Sequence, residues 1–236
     1  MAVRVLVTLT ALNEATHIAS VINAIRRDGY QCILVDDGSS DGTHKISASL
    51  GAQVIRHAIN LGQGHAVLTS FKAALEEDCD IIIEMDADGQ HDSSQIPLFV
   101  ERMQETGADI VVGSRILGSN YANAPFFRKT FLPHFTWIIN RLTGYRMTDA
   151  MCGFRAFRKE SLAKVEGVLD KMLEPQYGAA EMFLRFARAG LTVEEVPIDL
   201  KERASGGSHK GLVRYGVGVL RAIVRVLADK SYRHLR

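Results

Sequence analysis

Short apolar runs alternate with stretches of helical periodicity through the first half of the chain. Runs rich in Val, Ile and Leu are typical of buried strands, and the stretches between them repeat apolar residues at the spacing of an amphipathic helix. Polar or glycine-containing segments separate them, as turns require. The predicted strands and helices are, in chain order, Val5–Leu9, Ile18–Ile25, Ile33–Val35, Thr43–Leu50, Val54–Arg56, Gly64–Leu75, Ile81–Met85, Gln95–Glu105 and Asp109–Gly113.

The pattern changes after Arg115. Residues 118–148 mix Gly, Asn, Tyr and Pro with apolar residues and form an excursion that carries an apolar helix across Phe131–Ile139. Further on, the pattern predicts a helix over Gly178–Ala189, a strand over Val193–Ile198 and a long amphipathic helix over Gly211–Ala228. The repeated strand and helix order predicts an α/β fold, in which a mostly parallel sheet is sandwiched by helices.

Two helix starts carry capping signals. Asp41, before Gly42 and Thr43, is expected to cap the helix after the second strand, and Ser93-Ser94 is expected to cap the helix after the fourth. Short oxygen-bearing side chains at these positions can accept hydrogen bonds from the first backbone N–H groups of a helix.

Composition narrows the class of protein. The 236 residues carry 28 Lys+Arg against 27 Asp+Glu, a formal charge of +1, which gives no general electrostatic case for nucleic acid. The three cysteines show no metal or redox spacing, so we expect reduced thiols in a cytoplasmic setting. The first residues are expected to form a strand and not a secretory leader. The longest segment without charged residues, His57–Phe71, is too short and polar to span a bilayer.

The candidate chemistry is concentrated where the fourth predicted strand ends. The sequence there reads Asp86-Ala87-Asp88-Gly89-Gln90-His91. If the chain stays extended, Asp86 and Asp88 point to the same side, and two like charges so close favour a bound cation. Oxygen ligands suit Mg²⁺ or Mn²⁺ and not zinc. A surface turn is the alternative, because Asp and Gly are common in turns.

Polar clusters also follow the first and second predicted strands, at Asn13-Glu14 and at residues 36–43. The carboxyl ends of parallel strands meet at one edge of the sheet, where such folds bind ligands. A nucleotide needs carboxylates for its base and ribose and glycines for close backbone approach, so Asp37 is a candidate ligand. The alternative is a turn with a helix cap. Residues 60–66 offer only a weak phosphate-binding signal, because they lack the Gly-Lys-Ser/Thr ending.

Together these motifs resemble family 2 glycosyltransferases of GT-A fold, and among them the polyprenyl-phosphate glycosyltransferases such as dolichol-phosphate mannose synthases. The resemblance covers nearly the whole chain. It rests on order and spacing: Asn13-Glu14, the Asp-Asp-Gly-Ser-Ser-Asp-Gly-Thr of residues 36–43, the Asp-Ala-Asp-Gly-Gln-His of residues 86–91, Gly113-Ser114-Arg115, and residues 149–155. It departs from the family at Ala11 and Leu12, where a proline and an aromatic residue are usual.

The resemblance implies roles for particular residues. Asp86, Asp88 and Gln90 would hold the metal, while Glu14 and Asp37 would meet the base or ribose. The residues implied in donor binding are Ala11, Asn13, Glu14, Asp37, Gln63, Asp86, Ala87, Asp88, Arg203, His209 and Lys210. Those implied in catalysis are Asp86, Asp88, Arg115, Arg128 and Arg203. Arg203 would grip the donor diphosphate, Arg115 and Arg128 would hold the acceptor phosphate, and His209 or Lys210 would replace the family's lysine.

The resemblance implies that residues 1–236 form one domain, and the sequence shows no linker or repeat that would divide it. Residues 1–115 would form a nucleotide-binding half, residues 116–210 an acceptor-binding half, and residues 211–236 an amphipathic helix and tail. The implied reaction is inverting, metal-dependent transfer of mannose from GDP-mannose, or of a UDP-linked hexose, to a polyprenyl or dolichyl monophosphate. A soluble family 2 transferase using a sugar hydroxyl, with Asp149 as base, and a non-catalytic nucleotide-sugar-binding subunit are the alternatives.

The C-terminal helix predicts where the protein meets its lipid. Arg214, Arg221 and Arg225 fall on one side with Lys210, and Val217 and its apolar neighbours occupy much of the rest. A basic stripe beside an apolar face suits an interfacial helix on anionic lipid, at the cytoplasmic face of the membrane. A helix packed on the sheet with a solvated arginine face is the equal alternative. Oligomeric state cannot be read from the sequence.

Overall fold

The computed structural model describes residues 3–121, 126–170, 178–201 and 212–228. The strands are β1 (Val5–Ala11), β2 (Gln31–Asp36), β3 (Gln53–Arg56), β4 (Ile81–Asp86), β5 (Ile110–Ser114), β6 (Arg155–Arg158) and β7 (Val193–Pro197). The α-helices are α1 (Ile18–Arg27), α2 (Thr43–Ser49), α3 (Gln63–Glu76), α4 (Ile96–Thr106), α5 (Phe126–Thr143), α6 (Lys159–Leu169), α7 (Gly178–Arg188) and α8 (Leu212–Ala228).

The seven strands form one sheet in the order β3-β2-β1-β4-β6-β5-β7. The pairs β1 with β2, β1 with β4, β2 with β3 and β5 with β7 are parallel. Strand β6 is inserted between β4 and β5 and is antiparallel to both. The predicted mostly parallel sheet is therefore confirmed, and strands from both predicted halves of the chain share it.

The core lies on both faces of the sheet. Helix α3 packs on β1 and β2 and contacts α6 and α7, while α4 packs on β5, β6 and β7. Because β1 and β4 are covered on both sides, their apolar residues are continuous and not alternating. Residues such as Val7, Leu9, Ile82 and Ile83 are accordingly fully buried.

Two elements were not anticipated from the pattern, β6 and α6. Strand β6 reads Arg-Ala-Phe-Arg, which lacks a strand's apolar run, yet Arg155 and Phe157 are buried. Helix α6 buries Leu162, Val165 and Leu169 at helical spacing. Both lie in the half of the chain where the periodicity was least regular.

The structure bears on both predicted caps. The N-cap residue of α2 is Gly42, and the hydrogen bond to the first helical N–H comes from the residue before it, since Asp41 Oδ1 accepts from Thr43 N at 3.0 Å. The helix after the fourth strand is preceded instead by a 3₁₀ turn, Ser93–Gln95, capped by Asp92, which accepts from Ser94 N. The Ser93 hydroxyl donates to Asp28 at 2.6 Å, so the prediction that Ser93-Ser94 supplies the cap is wrong.

The outer helices expose apolar side chains. Helices α5 and α8 both pack against α7. Trp137 of α5 is 67% exposed, and the exposed side of α8 carries Val217, Leu220 and Val224. The buried side of α8 carries Ala222 and Ile223. No helix within the described ranges is long and apolar enough to cross a membrane.

Candidate active site

Loops after β1 and β2 are tied together at the edge of the sheet. The carbonyl of Ala11 accepts from Asp37 N at 2.9 Å, and Asn13 Oδ1 accepts from Ser40 N at 2.9 Å. Asn13 has a φ of 58°, a conformation that asparagine tolerates better than most residues. The half-buried Glu14 donates its backbone N–H to Thr43 Oγ1 at 3.0 Å. These predicted donor-binding residues do lie together.

The buried carboxylate of Asp37 organises the loop between β3 and α3. Its Oδ1 accepts from Leu61 N at 2.9 Å and lies 2.8 Å from His57 Nδ1, while Oδ2 accepts from Gly62 N at 2.8 Å. Nε2 of the same histidine lies 3.0 Å from Thr69 Oγ1. Asp37 thus holds a loop of its own chain, and its contact with a base or ribose stays a prediction.

The acidic motif begins at the last residue of β4. The strand ends at Asp86, and residues 87–88 turn, so the extended alternation expected to align Asp86 with Asp88 stops there. Asp88 Oδ1 accepts from Gln90 N at 3.0 Å, which closes a tight turn around Gly89, whose φ is 79°. Ala87 is buried beneath it. The carboxylates of Asp86 and Asp88 and the amide of Gln90 are held on adjoining positions of this turn.

Asp86 is fixed from two sides. Gln63 Nε2, at the start of α3, donates to its Oδ1 at 3.2 Å. Gly153 lies against the other oxygen so closely that a Cβ there would come within 2.6 Å of Oδ2. Within the described residues no three His, Cys, Asp or Glu side chains converge on a metal position. Two carboxylates with an amide fit Mg²⁺ or Mn²⁺, which take few protein ligands and complete their shell with water and phosphate oxygens.

His91 is the last residue of the acidic motif, and its buried ring feels the charges of that motif and of Arg115. Its Nδ1 accepts from Asp86 N at 3.1 Å, and its ring stacks on Phe154 at 5.0 Å. Burial lowers the pKa of His91, while the charges of Asp86 and Asp88 raise it and those of Arg115 and Arg155 lower it. A neutral ring is consistent with the unprotonated Nδ1.

A buried ion pair lies under the motif. Arg155 Nη1 of β6 donates to Glu84 Oε2 of β4 at 3.1 Å, and the Arg155 guanidinium sits 5.3 Å from the centre of the Phe183 ring. Burial raises the pKa of Glu84 to about 7, against the opposing charge of Arg155. Removing one partner of such a pair typically costs about 3–5 kcal/mol, because the other is left buried and unpaired.

Arg115 and Asp149 form a bidentate pair beyond β5. Arg115 Nε donates to Asp149 Oδ2 at 2.6 Å and Nη2 donates to Oδ1 at 2.8 Å. The backbone N–H of Arg115 also donates to Oδ2 at 3.2 Å. The Asp149 side chain is fully buried, while that of Arg115 is 17% exposed. The guanidinium therefore has one orientation fixed by its own chain.

Four predicted residues cannot be placed in full. Arg203, His209 and Lys210 lie outside the described residues, and Arg128 lies at the start of α5 with its side chain outside the described part. The described chain reaches Lys201, whose backbone N–H donates to the Gln90 carbonyl at 2.9 Å. The roles of these four residues stay predictions.

Sequence reasoning missed Glu84, the contact of Gly153 with Asp86, and Asp149 as the partner of Arg115. These contacts join distant segments and have no local signature. On α7 the sequence allows Glu181 to hold an arginine, and it does: Arg185 Nε donates to Glu181 Oε1 at 2.9 Å one turn away.

A family model described as glycosyl transferase family 2 matches residues 7–166, which run from within β1 through β6 and contain the acidic motif. The chain belongs to this family. The matched region crosses the boundary predicted at residue 115. The GT-A fold class and the identification as a glycosyltransferase, both expected from the motifs, are confirmed.

Two curated relatives resemble this glycosyltransferase over most of its length. An undecaprenyl-phosphate mannosyltransferase of Micrococcus luteus is 32% identical over 214 residues, covering 87% of this chain and 86% of the relative. A UDP-N-acetylglucosamine–dolichyl-phosphate N-acetylglucosaminyltransferase of Methanococcus voltae is 31% identical over 210 residues, covering 80% and 82%.

A solved structure confirms the fold of the glycosyltransferase. Glucosyl-3-phosphoglycerate synthase of Mycobacterium tuberculosis, crystallised with Mn²⁺, uridine diphosphate and glucosyl-3-phosphoglycerate, superposes with a TM-score of 0.70. The match covers 95% of this chain and 80% of that one at 22% sequence identity. At this identity the likeness concerns architecture alone.

Proposed function

We propose that this glycosyltransferase moves a hexose from a nucleoside diphosphate sugar to a polyprenyl monophosphate, with inversion at the anomeric carbon. The observation that carries the proposal is that Asp86 and Asp88 stand at the end of β4 and Arg115 directly after β5, two strands that flank β6 antiparallel to it and therefore end at the same edge of the sheet. One group suits a metal-bound diphosphate and the other a phosphate monoanion or dianion. The two relatives named for lipid-phosphate acceptors support this choice of acceptor.

Asp86, Asp88 and Gln90 are the residues proposed to hold Mg²⁺ or Mn²⁺. Gln63 and Gly153 keep the carboxylate of Asp86 in position. When bound, the metal would neutralise the negative charge of the departing nucleoside diphosphate. Glu14 and Asp37 remain the candidates for the nucleoside end, the latter also through the loop that it organises.

The acceptor phosphate has to be positioned, but it needs no general base to activate it. The second pKa of a phosphate monoester is about 6, so its oxygen is already a nucleophile at neutral pH. An oxygen of the acceptor attacks the anomeric carbon, the bond from that carbon to the diphosphate breaks, and the diphosphate leaves with the bonding electrons. Arg115 holds the acceptor phosphate, together with Arg128 in the same proposal, and Arg203 grips the diphosphate.

The rival reaction, transfer to a sugar hydroxyl, needs a carboxylate base. Asp149 was its nearest candidate, but both of its oxygens accept hydrogen bonds from the Arg115 guanidinium and its side chain is fully buried. This geometry favours an orienting role for Asp149 and supports the phosphate acceptor.

A matrix of donors and acceptors tests the proposal. Purified protein is incubated with GDP-mannose, UDP-glucose or UDP-N-acetylglucosamine and with a short polyprenyl monophosphate or a free sugar, with Mn²⁺, with Mg²⁺ or with a chelator. We expect an acid-labile polyprenyl phosphosugar that forms only with metal. Transfer to the free sugar would support the rival, and donor binding without transfer to any acceptor would favour a non-catalytic binding subunit.

We further propose peripheral contact with the cytoplasmic face of the membrane through α8 and Trp137. Val217, Leu220 and Val224 form an exposed apolar side on α8, and Arg221 is exposed among them. Apolar side chains flanked by arginine favour the interface of an anionic bilayer. This arrangement differs from a helix with its apolar face packed on the sheet and only arginines in solvent.

Flotation with anionic vesicles tests the membrane contact. The double variant Leu220→Glu/Val224→Glu should lose flotation, and Arg221→Glu should weaken it. Leu98→Glu is the matched control, because Leu98 is an exposed leucine on α4, with 40% of its surface accessible. Equal flotation of all variants would contradict the assignment of α8 to the interface.

A further inference from the structure

Glu195 of β7 belongs to none of the motifs, yet it reaches the turn that carries Asp149. It is opposite Val112 in the pairing of β5 with β7. Side chains alternate along a strand, so its neighbour Glu194 faces the other side, where it pairs with Arg102 of α4 at 2.7 Å. Two adjacent glutamates of one strand therefore serve different neighbours.

The Glu195 carboxylate accepts three hydrogen bonds from two consecutive residues. Oε2 accepts from Thr148 N at 2.7 Å and from Thr148 Oγ1 at 2.9 Å, and Oε1 accepts from Asp149 N at 2.9 Å. Hydrogen bonds to an ionised carboxylate are the stronger kind. Burial raises the pKa of Glu195, and these hydrogen bonds oppose that shift.

The hydroxyl groups beside Glu195 extend this hold to the segment after β5. Ser114 Oγ lies 2.6 Å from Thr148 Oγ1. Because the Thr148 hydroxyl proton is donated to Glu195, the Ser114 hydroxyl must donate to Thr148. Leu117 N in turn donates to Ser114 Oγ at 3.2 Å. The chain of hydrogen bonds thus has one direction and ends on Glu195.

Arg115 belongs to the segment after β5, one of the two segments that this chain of hydrogen bonds connects. Asp149 binds its backbone N–H and two nitrogens of its guanidinium, while Glu195 binds the backbone N–H of Asp149. Movement of the turn at 148–149 would therefore move the guanidinium.

We propose that Glu195 is a positioning residue, which fixes the Thr148-Asp149 turn and thereby orients Arg115 towards the acceptor phosphate. The acceptor part rests on the proposed function. Glu195 itself does not touch the acceptor, so its loss should act on acceptor binding through Arg115 and leave donor binding unchanged.

The test compares Glu195→Gln with Glu194→Gln, a matched change on the opposite side of the same strand. An amide offers one acceptor oxygen in place of two, so the turn loses part of its hold. In Glu195→Gln we expect the KM for a short polyprenyl monophosphate to rise about tenfold, with the donor KM within about twofold of wild type. Glu194→Gln should change neither constant.

A second readout needs no acceptor. Phenylglyoxal labels accessible arginines, and peptide mass spectrometry gives the rate at Arg115. Loosening of its pair with Asp149 should raise this rate severalfold in Glu195→Gln and not in Glu194→Gln. Thr148→Val, which removes the hydroxyl link, should show a smaller rise in the labelling rate, and Thr148→Ser should show none. If Glu195→Gln does not fold, the comparison of these two variants still tests the proposal.

The outcomes separate the two proposals. An unchanged labelling rate at Arg115 in Glu195→Gln and in Thr148→Val overturns the role of Glu195, as does an equal rise of donor and acceptor KM. Absence of transfer by the wild type to polyprenyl phosphate overturns the acceptor assignment, whereas faster labelling of Arg115 in the same preparation still supports the role of Glu195 in holding it.

Discussion

The two halves of this glycosyltransferase build their polar sites in different ways. In the half up to residue 115, carboxylates stand where parallel strands end, and nearby turns and helix starts hold them, as Gln63 holds Asp86. In the half beyond it, charged side chains are fixed by pairing across long stretches of chain: Asp149 pairs with Arg115 at the end of the first half, and Glu195 binds Thr148. The first arrangement follows from topology, and the second depends on tertiary packing.

If this contrast is correct, the largest effect comes from the acidic motif. Asp88→Ala should lower transfer about a thousandfold or more, because the donor diphosphate would lose a metal ligand, while the melting temperature changes little. Asp88 Oδ1 accepts from Gln90 N within its own turn. Steady-state kinetics over a Mn²⁺ titration measures the loss.

Asp78→Ala is the control for the acidic motif, since Asp78 is 84% exposed and pairs with Arg4 away from the site. Full activity of Asp88→Ala at saturating Mn²⁺ or Mg²⁺ would contradict the metal assignment.

Gly153 tests whether the site of the first half depends on the second, because it belongs to the second half and lies against Asp86 in the first. In Gly153→Ala the new Cβ would meet Asp86 Oδ2 at 2.6 Å and displace it. We expect kcat/KM to fall about a hundredfold with a weakened response to metal. Gly167→Ala is the control, because a Cβ there meets nothing within 4 Å. Wild-type kinetics in Gly153→Ala would show that Asp86 can move without cost.

Arg115→Lys tests the proposed acceptor contact by itself. A lysine cannot reproduce the two-point pairing with Asp149, so its charge remains but its direction is lost. We expect the acceptor KM to rise about tenfold while the donor KM stays unchanged. Arg102→Lys, at a half-exposed pair with Glu194, should have no effect. A rise confined to the donor KM would place Arg115 on the wrong substrate.

The buried thiols give the smallest effect, on stability alone. Burial raises the pKa of Cys32 in the first half to about 11 and that of Cys152 in the second to about 12. A thiol whose folded pKa exceeds its unfolded value stabilises the fold below the unfolded pKa, near about 8.5, and this contribution is lost as pH rises towards 11 and 12.

Urea denaturation between pH 8 and 9.5 should therefore show a loss on the order of 1 kcal/mol for each of these thiols. Native thiols should react slowly with a disulfide reagent at pH 8, and rapid labelling of Cys152 alone would indicate that the second half opens independently.

The apolar pattern of the sequence predicted those strands and helices whose buried residues recur within the element itself. Strands β1 to β5 and helices α1 to α4 were predicted because their apolar residues recur within each element. Strand β6 was not, because Arg155 is buried beside Glu84, 71 residues earlier in the chain, and such a pairing has no local pattern. The edge that collects the polar residues followed from parallel topology, whereas the hold of Asp37 on Gly62 required the folded loop.

The position of β6 has a consequence for the order in which the molecule is made. Within the described part of the chain, the partners of β5 are β6 and β7, and both emerge later in synthesis. A nascent chain that has reached Arg115 can join β1 to β4, but it has no partner for β5 and leaves the far edge of β4 unpaired. Closure of the sheet therefore waits for a sequence-distant segment, a slow and aggregation-exposed step. A fragment that ends at residue 115 should populate an open-edged, association-prone intermediate.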